Sequence, residues 1–190
     1  MTRPIVLQGG RVIDPSRGFD QTADVLIQDG KIAAVEADID PSSAKSVTDA
    51  SGKLVTPGLI DLHTHLSGEI GANTFIEPVL ETNVDAAYKA TKHARTTVMA
   101  GFTTVRDFGG EITVALGKAV DRNDVVGPRV VPSRDALGIT GGHCDVTGFA
   151  PGVLEQEPKN GVADGPWEVV EAVRYQIKHG AQVIKTCATA

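Results

Sequence analysis

Apolar positions change rhythm once along this chain. Up to about residue 57, short apolar runs alternate with polar positions and are cut by turn residues; beyond it, apolar strands alternate with stretches of helical period. In the first part, residues 5–7 and 11–13 flank Gln8-Gly9-Gly10, and residues 24–27 and 31–35 flank Gln28-Asp29-Gly30. Both read as hairpins. The second is the stronger signal, because Asp-Gly supplies two residues that tolerate the positive φ of a tight turn. Asp14-Pro15-Ser16-Arg17-Gly18 and Asp40-Pro41-Ser42-Ser43 read as turns or loops, and residues 46–48 and 54–55 add short strands. No titratable cluster stands out, so residues 1–57 are expected to be a small β-sandwich-like scaffold.

From residue 58 the order becomes strand, loop, helix. Strands are expected at 59–65, 102–107, 129–132 and 181–188, the first of them buried. Helices are expected at about 77–99, 111–121 and 167–179. In the first helix Leu80, Val84, Ala87, Thr91, Ala94 and Val98 recur at helical spacing; in the last, Trp167, Val170, Val173 and Ile177 should turn inward. A long loop from Ile139 to about Gly165 is long enough to suggest a functional segment. Four strands separated by helices predict an α/β protein with a parallel sheet, either doubly wound or part of a (β/α)8 barrel. A whole barrel takes roughly 250 residues. On the barrel reading, residues 58–190 are its N-terminal half, strands 1–4, and the chain is an incomplete piece with uncovered edges.

Composition narrows the function classes. The chain has 190 residues, 41% of them hydrophobic and 22% charged, which suffices for a core. A net charge of −6 without a basic run argues against nucleic acid, and no apolar stretch approaches a membrane span or a signal peptide. Cys144 and Cys187 are too few for a disulfide framework, so a reducing cytoplasm is expected, with both as small apolar groups.

Chemistry concentrates at strand ends. In Leu59-Ile60-Asp61-Leu62-His63-Thr64-His65, alternation places Asp61, His63 and His65 on one face, where two imidazoles can grip one metal ion; unrelated histidines at a polar strand end are the plainer reading. In Val183-Ile184-Lys185-Thr186-Cys187, a lysine interrupts an apolar strand. Burial lowers the pKa of such an amine, and the neutral amine adds carbon dioxide to give a carbamate able to bridge two cations; a lysine snorkelling out or paired to a carboxylate is the alternative. His143 lies in a Gly-rich loop at the end of the third strand and is a candidate substrate contact. His93 reads as a helix-flank histidine and His179 as one at a helix C-terminus. Arg106 and Arg134 suit either a substrate carboxylate or ion pairs with Asp107 and Asp135.

Pro57-Gly58-Leu59-Ile60-Asp61-Leu62-His63-Thr64-His65, behind a β unit and followed by Ile184-Lys185, resembles the metal-dependent amidohydrolase superfamily. Gly101-Phe102-Thr103-Thr104-Val105-Arg106-Asp107, Gly127-Pro128-Arg129-Val130-Val131 and Gly141-Gly142-His143-Cys144-Asp145 look like its imidazolonepropionase-like, Xaa-Pro dipeptidase branch. The resemblance implies that His63 and His65 bind the more buried of two divalent ions, zinc, and that Lys185 is carboxylated, catalytic and bridging. It implies hydrolysis of a C–N bond in a dipeptide or other small molecule by a metal-bound hydroxide, with self-association left open. Two further histidines and a proton-carrying aspartate of that pattern fall on later strands, so the piece alone is expected to be inactive. Leu66-Ser67-Gly68 follows the histidine pair where dihydroorotase- and hydantoinase-like ring openers often carry an arginine, which argues mildly against a cyclic amide. A non-catalytic metal-binding or assembly module is the reading from another class.

Overall fold

The computed structural model describes residues 4–188 and divides the chain into two compact units, Met1–Pro57 and Gly58–Ala190. In the first, strands β1 (Ile5–Asp14), β2 (Phe19–Gln28), β3 (Lys31–Glu36) and β4 (Ser46–Asp49) form one sheet in the order β3-β2-β1-β4, with β5 (Leu54–Val55) also on β1. Asp29 and Gly30 turn the β2–β3 hairpin at φ 51° and 74°, as the Asp-Gly pair predicts. Gln8-Gly9-Gly10 is not a hairpin. The β1 strand runs through it, with a register shift between Leu7 and Gly10, and the Gly9 N–H donates to Asp24 Oδ1 at 2.8 Å. A carboxylate from the neighbouring strand satisfies a donor that the ladder leaves free, so the two glycines make a bulge instead of a turn. The first hairpin turns at residues 15–18, between β1 and β2. Val12, Ala23 and Val25 form its core, with Leu7, Phe19, Ile27, Val35 and Val55 packed around them.

The second unit carries a parallel sheet, β6 (Leu59–Thr64), β7 (Phe102–Asp107) and β8 (Arg129–Pro132), in that order. Its helices are α1 (Glu77–Leu80), α2 (Asn83–Met99), α3 (Glu111–Asp121) and α4 (Pro166–Lys178). The helix expected over 77–99 is therefore two. Thr82 leaves the helical region at φ −89°, ψ 162° and forms a reciprocal capping box with Asp85, which restarts the helix. One face of the sheet packs on α2 and α3 through Leu66, Ala90, Ala94, Val105, Leu116 and Val130. That core gives the mixed α/β class.

Three expectations about burial and pairing do not hold. Leu59, Ile60 and Leu62 of β6, expected to be buried, are 52%, 61% and 56% exposed, since β6 pairs with β7 alone among the described residues. Trp167, Val170 and Ile177 of α4, expected to turn inward, are exposed, and Ala172 and Gln176 are buried instead. Periodicity marks an apolar stripe, but no packing layer covers these side chains among the described residues. Residues 181–188 form no strand as far as residue 188. They run beside the segment after β8, held by Gln182 N–H to Pro132 O, Leu137 N–H to Lys185 O and Cys187 N–H to Leu137 O, each at 2.8 Å. The partner segment is itself bent at Arg134, at φ 60°, which interrupts the extended backbone that a ladder needs.

Candidate active site

The β6 strand delivers the histidine pair, though not by plain alternation. Its ladder with β7 shifts register between Asp61 and Thr64, opposite Val105 and Asp107, and the Asp61 carboxylate turns back to accept the His63 N–H at 2.9 Å. Asp61 is thus tied to the backbone of the bulge instead of standing in line with the histidines. Beyond the bulge alternation resumes. Leu66 joins the helix-covered core and Thr64 bonds Asp107, while His63 and His65 go the other way. Their Nε2 atoms lie 3.4 Å apart. Two nitrogens bound at about 2.0–2.1 Å in tetrahedral geometry around zinc are roughly 3.3–3.4 Å apart, so the pair fits one such ion. No third His, Cys, Asp or Glu joins them among the described residues. Burial holds the His65 imidazole below its ordinary pKa; Asp107 opposes this, and the His63 and Lys185 charges add to it. The neutral, metal-binding form is favoured in consequence.

The turn after His65 is fixed by Asp107, a residue whose role the sequence did not disclose. Fully buried, its carboxylate accepts from Thr64 Oγ1 and Leu66 N–H at 2.8 Å each and from Gly109 N–H at 2.7 Å. Gly109 has no room for a Cβ, which would meet Ser67 Oγ and Asp107 Oδ1. The signal available was a strand-end Asp followed by Gly-Gly, a pattern that suits a tight backbone approach. His93 braces the same turn from α2: its Nδ1–H donates to Leu66 O at 2.9 Å and its Nε2 lies 3.5 Å from Glu69. It is a structural histidine, as a helix-flank position suggests.

Lys185, expected to be buried, is half-buried, with Nζ 5.0 Å from the centre of the Phe108 ring that also touches His63. The two anchors therefore share a neighbour. His143 is exposed, and no contact joins it to His63, His65 or Lys185 among the described residues. Arg106 is not paired with Asp107; it donates through Nε to Leu62 O at 2.7 Å and lies over Phe108. Arg134 is a structural ion pair, 3.2 Å from Glu111 and 3.9 Å from Asp135, with its guanidinium against Tyr175. Burial pushes the Asp135 carboxyl above the usual range despite that arginine. His179 closes α4 with its ring against Tyr175. Cys144 and Cys187, expected to be separate apolar groups, are joined in a disulfide with Cα atoms 6.2 Å apart. The hydrogen bonds between Leu137 and residues 185–187 bring the two segments together, a proximity that only the fold creates.

Known proteins resemble this chain in structure and in sequence. A solved Xaa-Pro dipeptidase with bound methionine in the active site superposes with a TM-score of 0.85 at 31% identity, covering 96% of this chain and 46% of its own. A prolidase complexed with N-methylphosphonate-L-proline does so at 0.81 and 34%, over 96% and 46%. Among curated sequences, the dihydroorotase of Trichlorobacter lovleyi is 39% identical over 101 residues, 53% of this chain and 21% of that protein. The chain thus spans less than half the length of these relatives. Residues 54–190 match the profile of the amidohydrolase family, and on that match, which takes in the histidine pair and Lys185 alike, the chain belongs to the amidohydrolase family.

Proposed function

We propose that this chain supplies part of the active site of a metal-dependent hydrolase of amide bonds, with dipeptides as the substrate class. The observation that carries the reading is the 3.4 Å separation of His63 and His65 Nε2 at the C-terminal end of β6. In this reading His63 and His65 hold one divalent ion, zinc, and Lys185, as its carbon dioxide adduct, bridges that ion to a second. The ions would supply an activated water and polarise the scissile carbonyl. The chain's own contribution is positional. Asp107 and His93 hold the backbone after His65, and the low basicity of His65 keeps a ring nitrogen free to bind. His143, exposed in its loop, is proposed as a substrate contact. The three parallel strands are proposed as the start of a barrel and residues 1–57 as part of a β-sandwich; the likeness to the dipeptidase over 96% of the chain supports both.

A second reading, hydrolysis of a cyclic amide, is favoured by the 39% identity to a dihydroorotase. The test compares Xaa-Pro dipeptides with dihydroorotate on the purified protein that contains this chain. Dipeptide hydrolysis is expected, lost by a factor on the order of 10²–10³ or more in His63→Ala. Turnover of dihydroorotate alone would select the second reading, and undiminished turnover in His63→Ala would overturn both.

A further inference from the structure

We propose that Phe108 is a positioning residue for the histidine pair, its ring setting the orientation of His63 and keeping the Lys185 amine at the same sheet end. The inference rests on the metal reading above and goes beyond it, to a residue that binds nothing itself. The Phe108 ring meets the His63 ring edge to face, with centroids 4.7 Å apart and planes at 85°, and lies 6.2 Å from the His65 ring. Lys185 Nζ and Arg106 Cζ sit 5.0 Å and 5.4 Å from the same centroid, within the range where a ring attracts a cation. A single side chain therefore touches groups from β6, β7 and the segment 181–188.

The ring can do this because its backbone does not move freely. Its N–H donates to Thr64 O at 2.9 Å, the residue between the two histidines. Asp107 before it is held by three hydrogen bonds, and Gly109 after it is wedged against Ser67 and Asp107. Phe108 is only 8% exposed. An aromatic ring offers what an aliphatic side chain of similar size does not: a negative face for the Arg106 guanidinium and for the Lys185 ammonium as it stands before carbon dioxide adds, and a defined edge-to-face preference for an imidazole. Among the described residues, the ring contacts of His63 are with Phe108 and His65. Without the ring, the two histidines regain rotamer freedom, and holding them at bonding separation costs affinity.

The experiment measures zinc affinity of the purified protein that contains this chain by competition with a chromophoric chelator, in wild type, Phe108→Tyr, Phe108→Leu and Phe108→Met, with the fold of each followed by circular dichroism. Phe108→Leu and Phe108→Met are expected to bind zinc 10- to 100-fold more weakly, about the range for loss of a residue that orients ligands, and Phe108→Tyr to stay within about threefold of wild type. NMR of the wild-type protein is expected to show ring-current shifts at His63 and the Lys185 side chain that vanish in Phe108→Leu. Absence of those shifts in wild type overturns the inference even where a variant fails to fold. Equal zinc affinity in all four proteins, or equal loss in Tyr and Leu, also overturns it while leaving the metal reading standing. A wild-type protein, complete with the rest of its sequence, that binds no zinc at all removes the metal reading and the inference with it.

Discussion

Each unit contains a buried aspartate held by backbone N–H groups, and the two have different consequences. Asp24 in the β unit accepts from Gly9 at 2.8 Å and from Ile39 at 3.0 Å; Asp107 in the α/β unit accepts from Leu66 and Gly109 and from the Thr64 hydroxyl. The physics is the same. A carboxylate that accepts several hydrogen bonds stiffens the backbone it holds. In the β unit the stiffened element is a bulge with no reactive group beside it. In the α/β unit it is the turn that follows two histidines. A buried carboxylate therefore marks a constrained backbone, and what lies next to that backbone decides whether the constraint serves chemistry.

The comparison is broken most directly at Asp107. Asp107→Ala strands the buried Leu66 N–H and the part-buried Gly109 N–H and is expected to cost about 3 kcal/mol of stability in a urea titration, and to weaken zinc binding as well. If stability falls and zinc affinity does not, the carboxylate is only a scaffold, like its counterpart. Asp24→Asn keeps the shape but replaces one accepting oxygen with an amide NH2, a donor that cannot accept from the N–H it faces. A loss of about 1–3 kcal/mol is expected, with zinc affinity unchanged; a change in affinity would erase the distinction between the units.

Acid sharpens the contrast further. The N–H bonds from Ile39 and Gly9 hold the Asp24 carboxyl below the usual range, so its folded pKa lies under the unfolded value of about 3.9. Its stabilisation is complete above that unfolded value and is lost as pH falls through the folded one. Between pH 5 and pH 2 the wild-type unfolding midpoint should drop more steeply than that of Asp24→Asn; parallel curves would show that the hydrogen bonds do not depress the pKa. The smallest effect is expected at the exposed edge of β6. Leu62→Gln, at a position 56% exposed, should change stability by less than about 0.5 kcal/mol, and a larger loss would mean that this face is covered in solution.

Legibility in the sequence followed the range of the interactions. Residues 102–107, 111–121 and 129–132 carry dense local signals, apolar runs bounded by glycine and proline or a helical stripe, and these elements stand where periodicity puts them. The strands of residues 5–14 and the helices of 77–99 deviate because a side chain intervened: Asp24 from the next strand in the first, the Thr82–Asp85 box in the second. The box is present in the sequence as Thr82-Asn83-Val84-Asp85, within a longer apolar stripe that runs across it. Trp167, Val170 and Ile177 of α4 do not turn inward as expected, because a stripe indicates which side is apolar, not whether anything lies over it.

By itself the sequence determined the kinds of groups available and their local spacing: two histidines one residue apart at a strand end, a lysine inside an apolar run, a strand-end Asp before Gly-Gly, and the alternation of strand and helix that makes an α/β unit. These follow from steric periods of two and 3.6 residues, which act within a few positions. The tertiary structure decided what those groups meet. It inserted the bulge that turns Asp61 aside, buried Asp107 beneath Leu66, set Phe108 between His63 and Lys185, and joined Cys144 to Cys187. Each of those contacts links positions far apart along the chain, and only the packing of the folded unit holds such positions together.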